Sequence, residues 1–207
     1  ALNETKNSQY HHGDLRRALL DAAALLVERD GLGTLSLREV AREAKVSHGA
    51  PRHHFGSKAG LLTALATDAF EAMQAAIVEE AGKQKDRSPK SFFEAVGLGY
   101  VRYAVNHPGM YSLLFRRDLV DPTEEGYKRS SDAAWGMLNE TVMALSEVGF
   151  IDKKETPMIA ALSWSVAHGL SLLTTEGRLA DRFPKLADEA FARRVVKMYV
   201  SRIVQAN

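Results

Sequence analysis

The chain has 207 residues, 45% of them hydrophobic and 26% charged, which excludes wholesale disorder and leaves room for a small head on a larger body. Cysteine is absent, which excludes disulfides, Cys-ligated zinc and thiol catalysis. The net charge is only +1, yet residues 1–60 carry nine Lys/Arg against seven Asp/Glu and five of the seven histidines, a modestly basic head.

The polar opening ALNETKNSQ lacks a signal-peptide core, and residues 1–12 read as a flexible arm. Leu15, Leu19, Ala22 and Leu26 then recur at helical spacing, predicting a first helix from about Asp14 to Arg29. Gly31 suits the left-handed position that ends such a helix. Ser36 caps a short helix to Ala44, with Glu39 three residues on to complete a capping box. Ser47 is expected to cap a third helix running to Phe55, itself placed in the core. Ser57 is expected to cap a long fourth, from Lys58 to about Ala81. The polar stretch Gly82–Lys90 reads as a loop. Helical patterns follow near Ser91–Asn106, Met110–Phe115, Glu124–Val148, Thr156–Glu176 and Asp188–Gln205. No strand-like alternation interrupts them. The longest apolar stretch, Ala160–Leu173, is broken by Ser163, Ser165, His168 and Ser171, so no membrane span is expected and a cytoplasmic location is.

Within Leu37–Phe55 two short helices joined by a tight turn make a helix-turn-helix. Ala41 is the small residue such a crossing needs, and Val46 is the apolar anchor after the turn. The second helix is of a width that a major groove admits. Residues Leu15 to Leu62 resemble the DNA-binding head of the TetR/AcrR family of repressors. The resemblance is carried by Ala22-Ala23 and Leu26, by Ser36-Leu37-Arg38-Glu39-Val40-Ala41, by Val46-Ser47-x-Gly49, and by His54-Phe55-x-Ser57-Lys58-x-x-Leu61-Leu62. Lys45 stands where the family usually has glycine, and is therefore expected at positive φ. Ala50-Pro51-Arg52-His53 replaces the usual hydroxyl, aliphatic and aromatic residues, with Pro51 tolerable in a first helical turn.

The resemblance implies an all-α fold: a three-helix DNA-binding head over 13–60, joined through a long helix to a helical regulatory and dimerisation bundle over 61–207. Lys58 is the leading phosphate contact, followed by Ser47, Arg38 and Arg52. His48, Gly49, Arg52 and His53 are the candidates for base edges, and His54 completes the set on the third helix. Each has an ordinary alternative as a solvated side chain. Tyr10, His11 and His12 either track the backbone or play no part. A His pair near Asp14 evokes a metal but lacks the supporting partners a metal site needs, so none is expected.

The body resembles the C-terminal domain of the TetR subgroup named after Trp, His and Gly, through Trp164-x-x-x-His168-Gly169. Tyr103-x-x-x-His107-Pro108-x-x-Tyr111-x-x-Leu114-Phe115 supports the match. Tyr103, Met110, Tyr111, Phe115, Trp135, Met137, Trp164 and His168 either line a cavity for an apolar or aromatic effector or simply fill the core. Ala161, Ser165 and Gly169 form a small-residue stripe, and with Val195, Met198 and Tyr199 they are the expected two-fold seam. No nucleophile elbow, phosphate-cradling glycine loop or HExxH is present, so neither an enzyme nor a cofactor is expected. The implied function is a homodimeric repressor released from a palindromic operator by a small effector. The alternatives are a DNA-binding regulator without a ligand, or a helical interaction protein that has lost DNA binding.

Overall fold

The computed structural model describes residues 4–184 and 189–204, and every regular element among them is a helix. In order these are α1 (Glu4–Asp30), α2 (Leu37–Glu43), α3 (Ala50–Phe55), α4 (Lys58–Lys83) and α5 (Pro89–Asn106). They continue with α6 (Pro108–Leu113), α7 (Glu125–Glu147), α8 (Thr156–Thr175), α9 (Arg178–Arg182) and α10 (Glu189–Ile203). Helix α1 starts well before Asp14, in the segment read as an arm. Residues 4–13 hold no proline, and a nucleated helix lengthens at one hydrogen bond per residue fixed. Side chains are described from Leu15 onward, so those of Tyr10, His11 and His12, and the whole of residues 1–3, lie outside the described residues. A 3-10 turn at Lys153–Glu155 and the short α9 are elements that hydrophobic periodicity did not predict.

The chain divides into two units, the first made of Ala1–Ala69 with Gly109–Lys128, the second of Phe70–Pro108 with Arg129–Asn207. In the first, α1, α2 and α3 contact one another. Its buried side chains include Leu19, Leu20, Ala23, Leu26 and Val27 of α1, Leu35 just before α2, Val40 and Ala41 of α2, and Leu61, Leu62 and Leu65 of α4. Segment 109–128 is tied into this unit at two places. The Glu28 carboxylate accepts the backbone N–H of Gly109 at 2.8 Å and of Met110 at 3.1 Å. The Thr63 hydroxyl oxygen accepts the Asp121 N–H at 2.8 Å.

In the second unit α5 packs on both α8 and α10. The Glu80 carboxylate is buried and ringed by cations, with Lys83 Nζ at 2.9 Å and guanidinium nitrogens of Arg102 and Arg193 each at 3.1 Å. A buried charge needs such partners. Helix α4 and the stretch Lys153–Thr175 reach the length and mean hydropathy (1.3) of a membrane crossing. That is a matter of length and composition alone, and half of the apolar window in α4 is buried within the protein.

Candidate nucleic-acid interface

The helix-turn-helix is held by its caps. Ser36 Oγ accepts the Glu39 N–H at 3.2 Å and donates its own proton to Glu39 Oε2 at 2.9 Å. The box therefore closes through the hydroxyl proton. At the far end of α2, the Val46 N–H reaches back to the Ala41 carbonyl and the Lys45 N–H to that of Arg42, at 3.0 and 3.1 Å. These paired bonds make a Schellman motif, which requires a left-handed residue just past the cap. Lys45 is that residue, at φ 55°, and it is the only non-glycine residue at positive φ among those described.

Helix α3 begins at Ala50, with its cap two residues later than expected. Ser47 does not cap it; its carbonyl accepts the Ala50 N–H at 3.0 Å in a lead-in turn, and Gly49 stands at the N-cap. The reason lies in residue 51. Pro51 has no N–H to donate, so it falls in the first turn, where none is needed, and its ring is buried. Ser57 caps α4 as expected, its Oγ accepting the Gly60 N–H at 3.1 Å.

Of the predicted DNA contacts, Arg38, Ser47, His48, Gly49, Arg52, His53 and Lys58 are exposed, and His54 is half-buried. The His53 and His54 rings meet edge to face with centroids 5.4 Å apart. Phe55 is only half-buried, a correction to its core placement: the Arg16 guanidinium covers its ring at 5.2 Å, a cation–π contact on the outer side. Some cations of this unit are paired with carboxylates and others are not. Arg17 bonds Asp21 and Asp68, Arg29 bonds Asp30 and Glu43, and Arg116 bonds Asp118. Among the described residues no carboxylate pairs with Arg38, Arg42, Lys45, Arg52 or Lys58. All five belong to the helix-turn-helix or the start of α4; elsewhere in the unit Arg16, Arg117 and Lys128 likewise have no carboxylate partner among the described residues.

Arg38 and His48 also line an open-sided cleft of about 550 Å³ with Thr34, Ser36, Glu39 and Arg42. Arg42 was not among the sequence candidates. Its signal was present, since four residues separate it from Arg38 and place the two on one helical face.

The candidate pocket residues divide between the units. Met110, Tyr111 and Phe115 belong to the first, where Met110 and Tyr111 are buried and Phe115, 37% exposed, meets Tyr111 edge to face at 5.2 Å. Tyr103, Trp135, Met137, Trp164 and His168 belong to the second. Tyr103 is buried against His107, with ring centroids 5.1 Å apart, and Met137 is half-buried. Trp135 and Trp164 are 45% and 43% exposed, and their rings meet edge to face at 5.7 Å. His168 lies beside Trp164 and shares a 3.2 Å hydrogen bond with the Tyr100 hydroxyl through Nδ1. Burial pushes its pKa below the usual imidazole value.

The candidate seam residues are all in the second unit. Ala161, Ser165 and Met198 are exposed, and Gly169, Val195 and Tyr199 are half-buried. The Tyr199 hydroxyl is held by Ser163 Oγ at 2.9 Å. Around the stripe, Met158, Leu162, Leu172 and Leu173 of α8 are each at least 40% exposed. Among the described residues no three metal-ligating side chains converge.

A capped helix-turn-helix, followed by a helical body with an exposed apolar helix face, defines the class: an all-helical protein with a DNA-binding frame at its N-terminal end. Residues 19–65 match the model of the bacterial regulatory proteins of the tetR family, and residues 93–198 match the tetracyclin repressor-like C-terminal domain. The chain belongs to the TetR family of bacterial regulatory proteins. It is 33% identical over 100 residues to the HTH-type transcriptional regulator BetI of Pseudomonas aeruginosa, covering 48% of this chain and 51% of that protein. The BetI regulator of Paraburkholderia xenovorans is 44% identical over 52 residues, 25% of this chain and 27% of that one. The chain thus spans about half the length, or less, of these regulators. A Rhodococcus sp. RHA1 protein of unknown function superimposes with a TM-score of 0.79 at 30% identity, covering 95% of this chain and 96% of its own. A TetR-family transcriptional regulator from Rhodococcus sp. shares the fold, with a TM-score of 0.72 at 19% identity over 93% of this chain and 100% of that one.

Proposed function

We propose that the protein is a sequence-specific DNA-binding transcriptional regulator that works as a homodimeric repressor and leaves a palindromic operator when a small apolar or aromatic effector binds. The observation that carries this reading is the cluster of five exposed cations without a carboxylate partner among the described residues, Arg38, Arg42, Lys45, Arg52 and Lys58, on the helix-turn-helix and the start of α4. Lys58 and Arg38 serve as phosphate contacts, joined by Ser47. Arg52, His48, Gly49, His53 and His54 form the surface presented to bases.

A dimer is needed because two recognition helices must reach successive major grooves on one face of DNA, about 34 Å apart. The open apolar face of α8, with Ala161, Ser165 and Gly169 along it and Val195, Met198 and Tyr199 from α10, supports its seam. The Trp135–Trp164 pair and His168 support an effector site of aromatic character. An effector acts here only by binding better to a state whose heads are wrongly spaced.

Sedimentation of the protein alone, and with a duplex taken from upstream of its own gene, tests the reading. The expected result is a dimer that binds one duplex, with Leu162→Glu giving a monomer of weakened DNA affinity. A wild-type monomer, or one that leaves the duplex free, overturns it.

A further inference from the structure

We propose that Arg38 and Arg42 form a seat for one phosphate of the DNA backbone, which makes Arg42 a DNA-contacting residue. The proposal rests on the DNA-binding reading above and extends it to a residue that the motif itself does not mark.

Two arginines four apart on α2 open onto the same cleft, and both are exposed. The carboxylates nearest Arg42 in its own helix are Glu39 at i−3, on its face, and Glu43 at i+1, off it. Both are engaged elsewhere. Glu39 takes the Ser36 hydroxyl proton at 2.9 Å, and Glu43 faces Arg29 at 3.6 Å. The hydroxyls in the lining are also spent, since Thr34 Oγ1 donates to the Asp30 and Gly31 carbonyls at 3.2 and 3.1 Å. Two guanidinium groups are therefore left as the donors open to an outside anion, against the single carboxylate of Glu39.

A guanidinium is planar and presents parallel N–H donors that match phosphate oxygens, and two of them side by side favour a phosphate over a halide ion. The cleft is open-sided, so a polymer can lie across it. His48, in its lining, belongs to the turn that leads into α3, and Arg52 and His53 face solvent along that helix. The cleft therefore adjoins, through His48, the turn that opens the helix proposed to read DNA. That favours a backbone phosphate over a free one.

Fluorescence anisotropy with the upstream duplex and with a random-sequence duplex, each titrated across salt concentrations, tests the seat. Arg42→Ala should weaken binding to both duplexes by a similar factor, roughly three- to tenfold at low salt, and flatten the slope of log K against log salt by about 0.9. Arg42→Lys, which keeps the charge, should retain most of the slope. Arg87→Ala, on the loop between α4 and α5, should leave it unchanged. Thermal melts show that each variant is folded. A wild-type slope in folded Arg42→Ala overturns the proposal, as does Arg42-dependent saturation by inorganic phosphate alone with DNA binding unaltered. A wild type that binds neither duplex at low salt overturns the DNA-binding reading itself, and the seat with it.

Discussion

Glu28 of α1 and Gly109 of α6 are joined by a 2.8 Å hydrogen bond from amide to carboxylate, and the next amide, of Met110, donates to the other oxygen of the same group. One acidic side chain thereby caps two N–H groups that the first turn of α6 cannot bond itself. The approach is close enough to require glycine, because a Cβ at position 109 would stand 2.7 Å from the Val27 carbonyl oxygen. Gly109→Ala should therefore lower stability by about 1–3 kcal/mol, read as a lower urea midpoint. Glu28→Ala, which leaves two amides without an acceptor, should cost a similar 1–3 kcal/mol, and Glu28→Gln less. Unchanged midpoints would show that the contact is incidental.

Lys45 holds the left-handed position of the turn at φ 55° while its side chain is exposed. Glycine adopts that conformation without the Cβ penalty, so Lys45→Gly should raise stability by about 1 kcal/mol. The more flexible unfolded chain offsets part of the gain. A melting temperature at or below that of the wild type contradicts the assignment of strain to this residue.

Arg52 and Lys58 separate the two jobs of a DNA interface. Arg52→Ala should change the order of preference among duplex sequences, whereas Lys58→Ala should weaken all of them alike and flatten the salt slope by about 1. Competition binding against a panel of single-base operator variants distinguishes them. Identical preference profiles for wild type and Arg52→Ala would remove Arg52 from base recognition.

Glu80 gives the body an acid limit. Burial pushes its carboxyl pKa up, but hydrogen bonds from Lys83 and Arg193 outweigh that and leave it below the usual value. Bonds from Arg102 and then Lys83 bring neighbouring Glu79 down to about 2. A carboxylate whose folded pKa is depressed stabilises the protein above its unfolded pKa, about 4.3 for glutamate, and that stability is lost as pH falls through the folded value. Stability should thus hold near neutrality and decline from about pH 4 downward. Glu80→Gln should be less stable at pH 7 and decline less steeply below pH 4. Parallel wild-type and mutant curves of stability against pH would contradict this role.

Much of the head was legible because its signals are local. The Ser36 and Ser57 caps, Gly31 as a helix stop and Lys45 at positive φ each follow from a residue type in a short window. The start of α3 was misplaced because two local signals competed, Ser47 as a cap and Pro51 as a first-turn residue, and proline's missing donor decided. Phe55 was misjudged because an aromatic at helical spacing reads as core, while the Arg16 side chain that covers it lies far off in sequence. Arg42 escaped notice for a related reason. Its availability depends on where Glu39 and Glu43 turn, and composition cannot show that. The exposure of Trp135 and Trp164 was likewise not readable from spacing, since the apolar stripe of α8 looks the same whether it faces its own chain or another.

The central claim is that the unpaired cations of the helix-turn-helix serve DNA. An anisotropy titration of the wild-type protein, with the duplex upstream of its own gene and a random-sequence duplex across a range of salt, tests it most directly. The expected result is tight binding at low salt, a steep linear fall of log K with log salt, and a preference for the upstream duplex that survives as salt rises. Absence of binding to either duplex at low salt would contradict it.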